Sequence, residues 1–354
     1  MTRRSRRITG LWTTAILAAL SLTPAAWADT IWFKSGAAEP IATPNVTVAR
    51  IESGNIVFTT GSGGERERKL DTVWKLKIDS EPALSEAEEA FTTGQWVAAA
   101  TAYEKAYAAA KKDWVKDRAV AKMVIAAQQT KQFRLQATAY AMMAVRDPAA
   151  AGPMKPSIPA DAKADLPAVI SVVTRSIQTR PTDQLKAFQA QLYLANGDAA
   201  AASRVLAGGK TAEMIAAQAM VALKLNPPNY QQAMQLVEQN KALFTTPDTQ
   251  LEALFALAEA KAGLAGNDPA RRQDAAIAYI RVVAHFGNQR NGLIEESLMK
   301  AAALLEASGQ LAEAAQLYRQ VESEPAYRDS PTTRPAAAKA ADLEKRAKAA
   351  SAGR

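Results

Sequence analysis

The chain has 354 residues, 48% of them hydrophobic and 6% aromatic, with a formal net charge of +8, one histidine and no cysteine. That apolar content can fill a packed core and excludes a disordered protein, while the missing cysteine excludes disulfides, a thiol nucleophile and cysteine-held metal. The charge sits at the ends: residues 1–28 contribute four arginines and residues 329–354 a net three, so the stretch between carries only +1, too little for a face that tracks phosphates.

The first element in chain order is a secretory signal. Arg3, Arg4, Arg6 and Arg7 precede an apolar run around Leu11 to Leu22, and Ala26-Trp27-Ala28 offers the small residues that a signal peptidase requires, so cleavage is expected after Ala28. Thr13, Thr14, Ser21, Thr23 and Pro24 dilute the run against service as a membrane anchor. The paired arginines leave the general secretory and twin-arginine routes both open. No other segment approaches the roughly 20 apolar residues that span a bilayer, so the processed chain is expected to be soluble and extracytoplasmic, in the periplasm or secreted.

Residues 29–79 read as a small β module. Thr30 to Phe33, Val46 to Ile51, Ile56 to Thr60 and Val73 to Ile78 are short, β-branched and partly alternating, and a charged strand follows Gly61-Ser62-Gly63-Gly64. Glycines in Ser53-Gly54-Asn55 and Gly61 to Gly64 accept the positive φ of tight hairpins. A barrel that closes most of its edges is expected, with Trp32, Phe33, Ile51, Val57, Phe58, Val73 and Trp74 in its core.

At Ser80, a candidate helix cap ahead of Glu81 and Pro82, the apolar period switches from strand to helix and stays helical to about Val321. Breakers are frequent: Gly94, the stretch 147–165, Pro181, Asn196-Gly197, Gly208-Gly209, Asn226-Pro227-Pro228, Thr246-Pro247, Gly263 to Pro269, Gly287 and Gly309. Helices of ten to twenty residues with short connections must run antiparallel to their neighbours, giving a row of helical hairpins over 80–328. The stretch 147–165 reads as an exposed loop or insertion, and 329–354 as a flexible, solvated tail, with a frayed helix at Ala336 to Lys348 as the alternative.

One spacing recurs inside this helical region. Gly94, Trp96, Ala99, Tyr103 and Ala106 match Gly309, Leu311, Ala314, Tyr318 and Val321 position for position, and weaker copies follow at Ala199, Ala202 and Leu206, at Tyr230, Ala233 and Val237, at Ala276, Ile280 and Val283, and around Ala137. The pattern resembles the tetratricopeptide repeat: a glycine lets two helices turn, a bulky residue starts the second, an alanine marks the crossing and a large residue fills the next gap. Alanine suits that crossing because a larger side chain would push apart backbones that pack about 8–10 Å apart. The key alanines lie 38, 65, 31, 43 and 38 residues apart, against a regular unit of about 34, so an irregular array is expected. The resemblance implies a mainly α fold, an α-solenoid of antiparallel hairpins, and the segment from Asp29-Thr30-Ile31-Trp32 resembles the small Sm-like or SH3-like modules that precede some exported repeat proteins.

Catalytic chemistry finds little support. His285 closes a helix, where an imidazole complements the dipole, and no phosphate loop, nucleophile elbow or dinucleotide fingerprint occurs. Glu86, Glu88 and Glu89 share one helical stretch, whereas a glycosidase places two carboxylates across a cleft. No catalytic residue, cofactor or metal is therefore assigned. The resemblance implies that the first helix of each hairpin lines a partner-binding groove, nominating Leu84, Glu88 and Phe91 at one end and Glu296, Met299, Ala303 and Glu306 at the other. The expected function is a non-enzymatic adaptor for a protein partner in the cell envelope, without nucleic acid; cell-wall glycan binding and a carboxylate-dependent envelope enzyme or enzyme accessory factor are the alternatives.

Overall fold

The computed structural model describes residues 28–36, 38–61, 63–159, 161–287, 292–327, 330 and 332–352. The expected signal segment, Ala28 apart, lies outside them. The chain divides between Ser85 and Glu86 into two compact units, five residues beyond the change of period at Ser80.

The first unit is a five-stranded antiparallel sheet: β1 (Asp29–Ser35), β2 (Ala38–Glu52), β3 (Asn55–Thr60), β4 (Glu65–Lys69) and β5 (Val73–Lys77), ordered β4-β3-β2-β1-β5. Among the described residues no ladder joins β4 to β5, so the sheet keeps two edges where a barrel that closes most of them was expected. The edge strand β4 is Glu-Arg-Glu-Arg-Lys with every residue exposed, a charge row that discourages pairing with another chain. The core is Ile31, Val46, Val48, Ile56, Val57, Phe58, Val73, Leu76 and Ile78. Val57, Phe58 and Val73 meet the expectation, but Trp32, Phe33, Ile51 and Trp74 are only half-buried. A register shift in β1 opposite Val73 displaces the alternation on which the aromatic assignments rested. Asp29 is the unit's polar anchor: its carboxylate accepts from Val48 N at 2.9 Å and Asp79 N at 3.1 Å, tying the start of β1 to β2 and to the chain leaving β5.

Fifteen helices are described: α1 (Pro82–Thr92), α2 (Trp96–Ala109), α3 (Asp113–Gln128), α4 (Phe133–Arg146), α5 (Pro148–Ala151), α6 (Leu166–Thr179), α7 (Asp183–Ala195), α8 (Ala199–Leu206), α9 (Ala212–Lys224), α10 (Tyr230–Gln239), α11 (Pro247–Ala265), α12 (Pro269–Phe286), α13 (Gly292–Ala307), α14 (Leu311–Ser323) and α15 (Thr333–Ala352). The start of α1 is Pro82, with the Glu81 carbonyl accepting its first bonds, so Ser80 is not the cap. Thr246, by contrast, caps α11 with Pro247 in the first turn, as its sequence predicts. Gly263 does not break the chain but lies inside α11, where a Cβ would overlap the Tyr230 ring of α10.

Successive helices from α2 to α5 and from α6 to α15 pack on one another, and α7, α9 and α11 also touch in sequence, skipping the helix between. The core of the second unit follows the same rule. Ala187 and Ala190 of α7 join Ala202 and Leu206 of α8 and Met214, Ala217 and Val221 of α9. The other face of α9 joins α10 and α11 through Ile215, Ala219, Ala233, Val237, Ala253 and Ala256. The far side of α11 then joins α12 to α15. Each of α9 and α11 is thus buried on two faces.

Three hairpin turns share one geometry. Gly94, Gly197 and Gly309 take φ of 73°, 82° and 84°, and the following residue donates back five positions: Gln95 to the Ala90 carbonyl, Asp198 to Tyr193 and Gln310 to Leu305, at 2.9, 2.8 and 2.9 Å. This is the Schellman turn, which a glycine takes without the Cβ penalty. After it Ala99, Ala202 and Ala314 are fully buried at the helix crossings, as are Ala233 and Ala276, with Tyr103, Ala106, Tyr318 and Val321 filling the space around them. Trp96 and Tyr230 are half-buried.

The tail expectation is corrected. Residues 333–352 form α15, whose Ala336, Ala340 and Leu343 recur at helical spacing and are buried in the same cluster as Tyr318 and Val321. Pro335 is tolerated because it falls in the first turn, where its absent N–H has no partner to lose. The stretch 147–165 is likewise more than an exposed loop: it holds α5 and two 3₁₀ turns, and Ala151 and Ala162 are buried.

Candidate functional site

The side chains nominated for a groove divide into two sets. Leu84 and Glu88 are buried, which removes them from any accessible surface; Phe91 is half-buried against Trp96 and Tyr103, its ring 5.4 and 6.1 Å from theirs, with Lys122 Nζ 4.3 Å from its centroid. At the other end Glu296 and Ala303 are exposed on α13, Met299 packs against the core, and Glu306 is half-buried and paired with Lys339 and Arg346 of α15. α15 therefore takes up Glu306, and Glu296 and Ala303 remain as surface positions.

Glu88 has a different role from the one assigned by its place on α1. Its two oxygens accept from Arg118 Nε and Nη2 of α3, both at 2.8 Å, and Oε1 also accepts from the Tyr103 hydroxyl of α2 at 3.0 Å. Glu88 is 1% and Arg118 5% exposed. Burial works against the guanidinium charge, yet the adjacent carboxylate outweighs it and holds the Arg118 pKa above its ordinary value. Burial first, then the Glu88 charge, pushes the Tyr103 phenol upward. Glu86 and Glu89 point to exposed surface on the same helix, so the three carboxylates face no common cleft.

The arrangement recurs along the chain. Glu259 of α11 accepts from the Tyr279 hydroxyl of α12 and pairs with Lys300 of α13, which also lies 2.8 Å from Glu296. Phe255 stands beside Tyr279 at 6.0 Å under the Lys300 ammonium, as Phe91 stands beside Tyr103 under Lys122. Tyr318 of α14 accepts from Lys339 of α15, whose ammonium also reaches Glu306 of α13. Each time a carboxylate on one helix, a tyrosine on the next and a cation on the third are tied together. The consequence is register: at Glu88 and Arg118, both buried, separating the groups would be costly, whereas the exposed Lys339 pair adds little.

A fourth polar group gathers on α7, α9 and α11. Asp248, Glu252 and Glu259 recur on one face of α11 at helical spacing, all half-buried. Gln191 of α7 donates to Glu252 at 2.9 Å, and Lys155, 97 residues away in sequence, pairs with the same oxygen at 2.5 Å. Burial, and then the charges of Glu252, Asp248 and Glu213, keep the Tyr140 phenol protonated well above its ordinary range. Sequence reasoning that looked for a groove at the two ends missed this centre. Its signal was nevertheless present, as acids spaced by four and seven residues in an otherwise apolar helix.

His285 is exposed in the last turn of α12, beside Phe286. In the β unit Trp32 and Trp74 flank Lys75, whose Nζ lies 4.7 and 5.8 Å from their rings, so the two indoles form a partly accessible aromatic face rather than a buried core. Among the described residues no helix is long and apolar enough to cross a membrane. No protein-family model matches the chain, and no curated protein is a significant match to it.

Proposed function

We propose that the chain is an exported, non-enzymatic adaptor of the cell envelope, built as an irregular tetratricopeptide-like α-solenoid that binds a segment of another protein. The observation that carries this reading is the triple recurrence of one turn, at Gly94, Gly197 and Gly309, each followed by a fully buried alanine. Recurring turns with packing mostly between adjacent and alternate helices are how quasi-one-dimensional arrays are built, and such arrays present extended surfaces rather than enclosed catalytic pockets. The internal use of Glu88 adds support, since the densest carboxylate group in the sequence is partly spent on holding helices together. Chemical cross-linking of the full-length protein in its host, followed by mass spectrometry, tests the reading. A partner retained by wild type and lost on Glu296→Arg with Ala303→Arg supports it; turnover of a substrate by the purified chain with no partner in any compartment overturns it.

A second reading has one specific observation in its favour. The half-exposed Trp32 and Trp74 offer flat apolar faces with a polar handle, suited to a glycan of the cell wall. Loss of co-sedimentation with wall material on Trp32→Ala with Trp74→Ala, at an unchanged melting temperature, would favour it over the helical surface.

A further inference from the structure

The connection between α4 and α6 is the longest among the helices, and it does not hang free. Residues 152–159, Gly-Pro-Met-Lys-Pro-Ser-Ile-Pro, run between the buried anchors Ala151 and Ala162 with no regular structure after Met154. Connections of this length inside a compact unit are uncommon without a function. Met154, Lys155 and Pro156 lie over Val124 and Ala127 of α3 and Tyr140 of α4, around a cavity of about 190 Å3. Lys155 then reaches Glu252 of α11, leaving its side chain 23% exposed. An extended segment with a lysine on a carboxylate and prolines against apolar helix faces is how one protein binds a peptide from another.

The fit of this segment is incomplete in two places. The Gln184 amide of α7 lies against Gly152, and its Oε1 is buried with no hydrogen-bond donor. The cavity beside Tyr140 has room for a side chain that the strap does not supply. An occupant lacking a donor and a filling group binds less well than one that has both.

We propose that residues 152–159 are a resident occupant of a binding surface formed by α3, α4, α7 and α11, and that the exchangeable ligand is an extended, lysine-bearing segment of a partner protein, which displaces them. This rests on the reading of the helical unit as a binder of protein segments. The lysine of the incoming segment takes the place of Lys155 on Glu252, in the acidic neighbourhood of Asp248 and Glu213. A donor to Gln184 Oε1 and a side chain that fills the cavity give it the advantage over the strap. Because a tethered segment competes at an effective concentration of about millimolar, the partner must also touch the array beyond the strap's footprint, which keeps the surface closed to short peptides.

Fluorescence anisotropy on the full chain tests the proposal, using as probe a labelled peptide of the strap sequence. The variants are Lys155→Ala, an equal-length glycine-serine replacement of residues 153–158, and each of these with Glu252→Gln; melting curves identify any that fail to fold. Freeing the surface should tighten binding of the probe about tenfold over wild type, the reciprocal of the strap-free fraction. Adding Glu252→Gln should remove that gain, and a probe with its lysine replaced by alanine should not bind. Equal affinity in wild type and both strap variants, or affinity indifferent to Glu252→Gln, overturns the proposal. A cellular partner that cross-links equally to wild type and Glu252→Gln would sink the strap proposal while the adaptor reading stands. Peptide binding as described, with no partner captured anywhere, would sink the adaptor reading alone.

Discussion

Glu88→Ala is the most informative single perturbation of the helical unit. The carboxylate accepts three hydrogen bonds, two of them from a guanidinium that is 5% exposed. Removing it leaves Arg118 charged, buried and without its carboxylate, and leaves the Tyr103 hydroxyl without its acceptor. Breaking a buried pair from one side costs about 3–5 kcal/mol, and an unsatisfied buried hydroxyl adds about 1–3 kcal/mol where it finds no water. Against a total stability of about 5–15 kcal/mol, the variant should be near the edge of folding. The urea midpoint of the full chain, followed by far-ultraviolet circular dichroism, reads this directly. A second variant isolates the cause: Glu88→Leu, Tyr103→Phe and Arg118→Met together replace the polar group by apolar side chains and should recover most of the loss, since such replacements are often neutral or stabilising. If Glu88→Ala shifts stability by less than about 1 kcal/mol, which is the scale of an exposed ion pair, the cluster does not lock α1, α2 and α3 as argued.

Three further outcomes are expected. Ala314→Leu and Ala340→Leu should each overfill a crossing and cost about 1–3 kcal/mol, measured as matched drops in melting temperature; an unaffected Ala340→Leu would detach α15 from the core. Gly263→Ala should destabilise despite the better helix propensity of alanine, because its methyl would meet the Tyr230 ring, and Tyr230→Ala in the same chain should relieve part of the loss. Tyr103, Tyr140 and Tyr279 all have raised pKa values, chiefly through burial. The folded state therefore holds more protons than the unfolded one above about pH 10, and stability should fall there by about 1.4 kcal/mol per pH unit for each phenol, a slope that Tyr140→Phe should reduce by one such share.

Much of this architecture was legible in local patterns. The strand-to-helix switch near residue 80 and the break at Thr246-Pro247 are set by neighbours in sequence, and each appears where its residues place it. The glycine-alanine spacing led to positions that share turn geometry and burial. What escaped was decided by distant partners. Nothing near Glu88 announces Arg118, thirty residues on, so Glu88 read as a position on a partner-binding groove. The packing of α15 was hidden by composition: an Ala/Lys run after two prolines has the texture of a solvated tail, and only the face of Tyr318 and Val321 waiting beside it makes Ala336, Ala340 and Leu343 a core stripe. The strap was read as an exposed insertion because the carboxylate that holds it lies on α11. In the sheet, a shifted register between β1 and β5 brought Trp32 and Trp74 out of the core that their hydrophobicity suggested.

The central claim is that the helical unit, rather than a catalytic pocket or the β unit, meets the partner. A photo-activatable residue placed singly at Ala303 on α13 and at Ile41 on β2, both exposed, addresses it in the intact protein within its host. The account predicts a discrete protein adduct from Ala303 and none from Ile41. An adduct from Ile41 alone would contradict it.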